Sequence, residues 1–387
     1  MSAIEARVRE VAARATELHA RALVIDSMAG GPGVLTPAMV EELGDLSDDL
    51  ATPEVFRELE RVQTRAFRAG TFTAWWDAVE VSGVNVLSVT VGAWGDQPFS
   101  FRGAVQDLGE WHQRIDADQR MTLIREANDL RQCVDTRRTG ILLGFQECSQ
   151  LEGDLRNVET FHGLGVRMIQ LTYNGRSLAG CGCTEPVDDG LTAFGRDLIR
   201  QLNEVGILID ISHCGPKTSL EAIAWSRVPV AVSHAACAGV HPHARNKHDD
   251  VLRALGDTGG YFGVCLVPGF IARADEIPSV EHFVAHVQHA LELTGPLAVG
   301  IGTDWGVECS PPSLRRRLQA EASARGFRPS DNFRFAQLTA GFETWVLGYP
   351  RLTEALLDAG LDEPTVERIL GENFARFFGA ATSGRTP

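Results

Sequence analysis

Eight short apolar runs, separated by helical patterns, constrain the fold of this 387-residue chain more than any other feature. Near-continuous apolar strands are typical of parallel sheets that helices cover on both faces. The alternation predicts an α/β fold, a (β/α)8 TIM-type barrel with extra N- and C-terminal helices. A doubly wound open sheet is the alternative, and the lack of a GxGxxG sequence disfavours it. The runs are ALVIDSM (22–28), VNVLSVTVG (84–92), GILLGFQE (140–147), VRMIQLTYN (166–174), GILIDISH (206–213), VPVAVSH (228–234), GYFGVCLVP (260–268) and LAVGIGTDW (297–305).

The segments between the runs carry helix start and stop signals. Thr52 as N-cap and Pro53 at the first helical position open an amphipathic segment. Thr192 is the predicted N-cap of a helix that ends at Gly206, and a later helix ends at Gly295. These signals place a helix between consecutive strands, as a barrel requires.

Composition limits the partners and the number of domains. Acidic residues outnumber basic ones by 51 to 36, and no Lys/Arg cluster stands out, so we expect no nucleic-acid partner. The charged opening segment is unlike a signal peptide, and no apolar run is long enough to span a membrane. Eight cysteines are too few for a disulfide scaffold, so we expect a cytoplasmic protein. We expect one barrel domain over residues 1–380 and a polar tail over 381–387.

Three side chains with metal-binding chemistry stand at the predicted ends of strands. His213 ends the run GILIDISH, His234 ends VPVAVSH, and Asp304 lies at the tip of LAVGIGTDW. Active sites of such barrels lie at the carboxyl ends of the strands. Two imidazoles and a carboxylate at one mouth are the groups that hold a divalent metal and activate a water molecule.

Several segments, in their order and spacing, resemble the renal (membrane) dipeptidases and their bacterial relatives, a family of binuclear zinc (β/α)8 hydrolases. These segments are GILLGFQECSQLEGDL, GVRMIQLTYNGRSLAG, GLTAFGRDLIRQLNEVGILIDISH, PVAVSHAACAGVHPHARNKHDDVLRAL, AVGIGTDW and ILGENFARFFG. The resemblance implies that His213 and His234 bind metal and that Asp304 is both a ligand and the acid/base. It also implies that Arg245 binds the carboxylate of the substrate. Tyr173 stands where the family has a histidine that polarises the scissile carbonyl, and Asn174 beside it is a predicted substrate contact.

The sequence departs from that family at its first metal. Met28 and Gly30 stand where the family has a His-x-Asp pair, and Gln146 stands where it has a bridging glutamate. Two divalent ions with few carboxylates would be poorly neutralised in a low-dielectric site. We therefore predict one zinc ion rather than two, with His213, His234, Gln146 and Asp304 as the ligand set. A metal-free site is the alternative, and Glu147 or Asp26 is a candidate replacement ligand.

These observations predict a dipeptidase-like metallohydrolase that cleaves a dipeptide or a small N-acyl amino acid, and the resemblance to the family implies a homodimer. The alternative is a repurposed barrel that binds an amino-acid-like ligand or catalyses a lyase or tautomerase reaction. The stripe of His282, His286 and His289 lies on a predicted outer helix, so we assign it to packing or the surface. Cys181 and Cys183 lack a second pair at zinc spacing, so we expect no metal there.

Overall fold

The strands form a closed parallel barrel in the computed structural model, which describes residues 3–29, 35–47, 52–93, 99–304 and 339–383. β1 pairs with β9 and β2, and β2 also pairs with β4, which closes a ring of eight strands. The predicted (β/α)8 barrel is therefore confirmed. The strands are β1 (Ile25–Asp26), β2 (Val86–Thr90), β3 (Met121–Leu123), β4 (Thr139–Phe145), β5 (Val166–Gln170), β6 (Leu208–Asp210), β7 (Ala231–Ala235), β8 (Tyr261–Val264) and β9 (Val299–Ile301).

Helices surround the barrel and also precede and follow it, as predicted. Thr192 caps α8 by accepting a hydrogen bond from Gly195 N, and Gly206 ends that helix with a φ of 84°. The helices are α1 (Ala3–Arg21), α2 (Pro37–Ser47), α3 (Thr52–Arg68), α4 (Thr73–Ser82), α5 (Phe101–Ala117), α6 (Ala127–Thr136), α7 (Arg156–Gly163), α8 (Ala193–Val205), α9 (Pro216–Trp225), α10 (Asp249–Asp257), α11 (Pro268–Ile271), α12 (Val280–Thr294), α13 (Trp345–Asp358), α14 (Glu363–Glu367) and α15 (Asn373–Thr382). Within the described ranges, no helix is long and apolar enough to cross a bilayer.

Two features add detail that the pattern of apolar runs did not contain. The amphipathic segment that begins at Thr52 forms two helices, α3 and α4, with Gly70 at a φ of 65° between them. The short strand β3 pairs only with the first half of β4, where Leu123 lies opposite Ile141. β5 then pairs with β4 from Leu143 onward, so the extra strand leaves the ring of eight intact.

A polar layer fills the barrel just below its carboxyl-terminal mouth. Ser27 Oγ donates hydrogen bonds to the carbonyl oxygens of Ser233 and Ile301, at 2.6 and 2.8 Å. Gly302 is required here because a β-carbon on it would lie 1.9 Å from the Ser233 carbonyl oxygen. β9 thus comes close to β7, and Asp304, three residues beyond the end of β9, lies near His234 on β7.

His286 anchors the outer helix α12 to the barrel. Its ring is fully buried; Nδ1 accepts a hydrogen bond from Cys237 N at 3.0 Å, and Nε2 lies 3.1 Å from the Ile271 carbonyl oxygen. These partners require a neutral ring with its proton on Nε2. Burial lowers the pKa of His286 to about 4, in keeping with the predicted packing role.

His286→Gln should remove a pH-dependent part of the stability. Between pH 6.5 and 4 the unfolded chain binds a proton on this ring and the folded chain does not, so stability present above pH 6.5 is lost as the pH falls. We expect the free energy of unfolding of the wild type to drop about 2 kcal/mol more than that of the variant from pH 7 to pH 4.5. Urea denaturation measures it, with His282→Gln on the same helix as the control. Equal pH dependence in wild type and His286→Gln would contradict the assignment.

Candidate active site

Two buried histidines meet at the mouth of the barrel. His213 lies in the turn that follows β6, and His234 lies on β7. Their Nε2 atoms are 3.1 Å apart, and both side chains are almost completely buried. Within the described residues, no three His, Cys, Asp or Glu side chains converge on one point. The imidazole pair is therefore the nucleus of the candidate site.

A buried relay fixes the proton of His234 on Nδ1. The Ser233 hydroxyl donates to Asp210 Oδ2 at 2.5 Å and lies 2.7 Å from His234 Nδ1. Because that hydroxyl has a single proton, which Asp210 accepts, His234 Nδ1 must donate to Ser233 Oγ. The lone pair of His234 is thus on Nε2. Asp210 itself accepts three further hydrogen bonds, from Ser233 N and from the backbone and hydroxyl of Ser212.

Asn174 fixes His213 in the same way. Its Oδ1, which is an acceptor, lies 2.7 Å from His213 Nδ1, so Nδ1 carries the proton and Nε2 the lone pair. The ring of Tyr173 is stacked on His213, with centroids 4.2 Å apart, and the ring of Phe99 contacts that of Tyr173 with centroids 5.2 Å apart. The two Nε2 lone pairs of the histidines therefore face each other, which is an unfavourable contact unless a cation lies between them.

The electrostatics of the site keep both rings neutral. Burial lowers the pKa of His213 and of His234 well below the usual value, and the nearby charges of Arg245 and Lys247 lower both further. A neutral imidazole is the form that binds metal ions.

The backbone of the turn that carries His213 is held at every carbonyl oxygen. Arg245 donates to the carbonyls of Ser212 and His234, and Cys183 N donates to the carbonyl of His213 at 2.7 Å. Lys247 donates to the carbonyls of Ile211 and Cys214. Gly182 permits this arrangement, because a β-carbon there would lie 2.2 Å from the carbonyl oxygen of Asn174.

Asp304 is the carboxylate beside the imidazole pair. Its Oδ2 lies 3.9 Å from His234 Nε2, and its backbone N donates to the Met28 carbonyl at 2.8 Å. Its φ is 52°, an unusual conformation for a residue other than glycine. In the described part of the chain, three other non-glycine residues have a positive φ. Arg137 and Glu152 each end a helix, and Phe99, like Asp304, lies at the mouth. Burial raises the pKa of Asp304 to about 7.

Neutral groups form the side of the mouth where the family resemblance places the first metal. Gln146 Nε2 donates to Met28 Sδ at 3.1 Å, and Thr90 Oγ1 donates to the same sulfur at 3.3 Å. Gly30 lies outside the described residues. The amide of Gln146 thus points its N–H towards a thioether rather than pointing its oxygen at a metal position.

The two candidate replacement carboxylates have other partners. Asp26 is fully buried and accepts hydrogen bonds from Met28 N, from the backbone and hydroxyl of Thr303, and from the Tyr349 hydroxyl. Glu147 accepts from Ser149 Oγ at 3.0 Å. Asp26 therefore supports the strand ends from below.

The sequence profile of the membrane dipeptidases (peptidase family M19) matches residues 12–323. The chain belongs to the membrane dipeptidase family. The resemblance predicted from the segments is thus confirmed.

Similar proteins agree with this membership. Dipeptidase tcpJ of Claviceps purpurea is 27% identical over 292 residues, which cover 73% of this chain and 62% of that protein. The chain therefore spans less than two thirds of the length of that dipeptidase. A crystal structure of an amidohydrolase from Pseudomonas aeruginosa superimposes with a TM-score of 0.73 at 28% identity, over 95% of this chain and 99% of that one. The probable dipeptidase PvdM of the same organism shares the fold, with a TM-score of 0.70 at 16% identity, over 97% and 99% of the two chains.

In this member of the membrane dipeptidase family, the structure brings together four of the site residues that the sequence predicts. They are His213, His234, Asp304 and Tyr173. Arg245 is buried next to them, with its guanidinium on the carbonyls of Ser212 and His234, and Gln146 donates to Met28. Sequence reasoning missed Asp210, Ser233 and Lys247, which support the histidines. The sequence does carry signals for them. Asp210 in DIS and Ser233 in VS are polar residues inside apolar strands, and Lys247 in HARNK is a lysine in a chain that has few.

Ser233→Ala should destabilise this protein strongly. The change leaves Asp210 Oδ2 and the His234 Nδ1–H group without their partner in a fully buried layer, so we expect a loss of about 3 kcal/mol. Chemical denaturation at pH 7 measures the free energy of unfolding, with Ser383→Ala at the exposed end of α15 as the control. A loss below about 1 kcal/mol would contradict the proposed dependence of this buried layer on the Ser233 hydroxyl.

Proposed function

We propose that this chain is a metal-dependent hydrolase that cleaves the amide bond of a dipeptide or a small N-acyl amino acid, with one zinc ion at His213 and His234. The observation that carries the proposal is the pair of neutral imidazoles with both Nε2 lone pairs facing each other at 3.1 Å. Membership of the dipeptidase family supports the same reaction class.

The donor atoms fit one zinc ion. Zinc–nitrogen bonds of about 2.0–2.1 Å in a tetrahedral site place two ligand nitrogens about 3.3 Å apart, close to the distance between the two Nε2 atoms. Asp304 is the proposed third ligand, from the carboxylate beside His234. Gln146 is the weakest member of the predicted ligand set because its N–H donates to Met28.

A second ion has no comparable set of donors among the described residues. Met28, Thr90 and Gln146 are neutral, and Thr90 and Gln146 both donate hydrogen bonds to the Met28 sulfur. Asp26 and Glu147 are bonded elsewhere. A second divalent charge would be poorly neutralised here, which supports the proposal of one ion.

The other predicted site residues have separate roles in the proposed reaction. A bound zinc ion lowers the pKa of a water molecule to about 7 and polarises a carbonyl group. Asp304 takes the proton of the attacking water and returns it to the leaving amine. The Tyr173 hydroxyl donates to the oxygen that becomes negative. Arg245 binds the substrate carboxylate through N–H groups that the two carbonyls do not use, and Asn174, the other predicted substrate contact, orients His213.

We expect one zinc ion per chain, and loss of both zinc and activity in His213→Ala. Elemental analysis of the purified protein counts the metal, and hydrolysis of glycyl-leucine and N-acetyl-leucine, in both enantiomers, measures activity before and after chelation. His289→Ala, on the outer helix α12, should keep its zinc.

Two zinc ions per chain would contradict the stoichiometry. Activity that survives chelation, or a metal-free protein that binds amino-acid-like ligands without cleaving them, would favour the alternative of a repurposed barrel.

Tyr173→Phe should lower kcat by about 100-fold and leave KM within about threefold, because the lost hydrogen bond is made mainly in the transition state. Steady-state kinetics measure both constants. Tyr261→Phe removes a buried hydroxyl that donates to the Ile301 carbonyl and should lower stability while keeping kcat. Wild-type kcat in Tyr173→Phe would exclude this role for the phenol.

The single barrel domain over residues 1–380, the polar tail over 381–387, the homodimer and the cytoplasmic location belong to the same proposal. The domain bounds and the location are predictions from sequence and composition, and the homodimer is implied by the family resemblance.

A further inference from the structure

Lys247 is a buried cation in an unusual place for this chain. It is one of two lysines among the 36 basic residues, and it is 2% exposed. Its Nζ donates to the carbonyls of Ile211 and Cys214, at 2.6 and 2.7 Å, and to Ser219 Oγ at 3.2 Å. These three acceptors match the three donors of an ammonium group. Burying a charge on neutral oxygens costs several kcal/mol, so the position calls for a reason.

The backbone of Lys247 is joined to the segment that follows His234. Lys247 N donates to the Ala236 carbonyl at 2.9 Å, and Ala238 N donates to the Lys247 carbonyl at 2.8 Å. The side chain then reaches the turn of residues 211–214, which carries His213. One residue thus connects the two segments that hold the imidazoles.

Arg245 spans the same two segments at other atoms. Its guanidinium donates to the carbonyls of Ser212 and His234. A planar guanidinium suits two carbonyls that lie side by side, whereas a compact ammonium suits acceptors arranged around a point. The carbonyls of Ile211 and Cys214 and the Ser219 hydroxyl surround Nζ in that way, which explains a lysine in a chain that otherwise uses arginine almost everywhere.

We propose that Lys247 is a positioning residue that holds the turn of His213 at the distance from His234 that a shared metal ion requires. This inference rests on the proposed function, since it takes the imidazole pair as the metal site. The ammonium acts through the carbonyls of Ile211 and Cys214 and does not touch the metal or the substrate. Its loss would free the turn, and the two Nε2 atoms would no longer be held together before binding.

Lys247→Met tests the role, and Lys217→Met, which changes the exposed second lysine at the start of α9, is the matched control. Competition with a chromophoric chelator measures the zinc Kd, and the visible absorption of Co²⁺-loaded protein reports ligand geometry. We expect the zinc Kd to rise at least about 10-fold in Lys247→Met, with an altered Co²⁺ spectrum, and to stay unchanged in Lys217→Met. Lys247→Arg should also differ from the wild type, because a planar guanidinium cannot donate to all three acceptors of the Lys247 ammonium.

A folded Lys247→Met protein with a zinc Kd within twofold of wild type and an unchanged Co²⁺ spectrum would overturn the inference. If Lys247→Met does not fold, Ser219→Ala removes one of the three acceptors, and we expect the zinc Kd to rise about threefold; an unchanged Kd would again overturn it. A wild-type protein that binds no zinc is a different result, because it refutes the proposed function itself.

Discussion

The ring nitrogen that carries the proton in His213 and in His234 determines which chemistry the barrel mouth supports. Asn174 and Ser233 each take a proton from an Nδ1 atom, so both Nε2 lone pairs of His213 and His234 are left to face each other. Two lone pairs 3.1 Å apart repel unless a cation lies between them. The hydrogen bonds and the burial thus hold the two rings in an arrangement that favours a bound cation, as the proposed metal site requires.

The support for this pair extends far below the mouth. Asp210 collects four hydrogen bonds from two serines, and Asp26 collects four from Met28, Thr303 and Tyr349. Both carboxylates are fully buried, and burial raises the pKa of Asp26. Such layers are stable only when every partner is present, so they fix the strand ends in one arrangement. The positive φ of Asp304 is the kind of local strain that a rigid surrounding can maintain.

The barrel and the tip residues could be predicted because both follow from local patterns. Apolar runs give the strands, and the end of a run gives the position of His213, His234 and Asp304. The short strand β3 and the break between α3 and α4 were missed because three residues and one glycine give little periodic signal. The partners of the histidines were missed for another reason. Asn174 and Lys247 reach His213 or its turn from 39 and 33–36 positions away, and no spacing rule predicts contacts that only closure of the barrel creates.

At the mouth of the barrel, this chain has neutral side chains where the family resemblance places charged or metal-binding ones. Met28 and Gln146 stand at positions of metal ligands in the family, and Tyr173 stands at the position of its histidine. None of the three carries a charge. In the proposed function, one ion activates the water and polarises the carbonyl, and the Tyr173 phenol supplies a hydrogen bond in place of the family's histidine. A weaker electrophilic site of this kind depends more on accurate placement of its two histidines. That dependence accounts for the number of buried donors, from Arg245, Lys247 and Cys183, that this chain directs at four consecutive carbonyl groups.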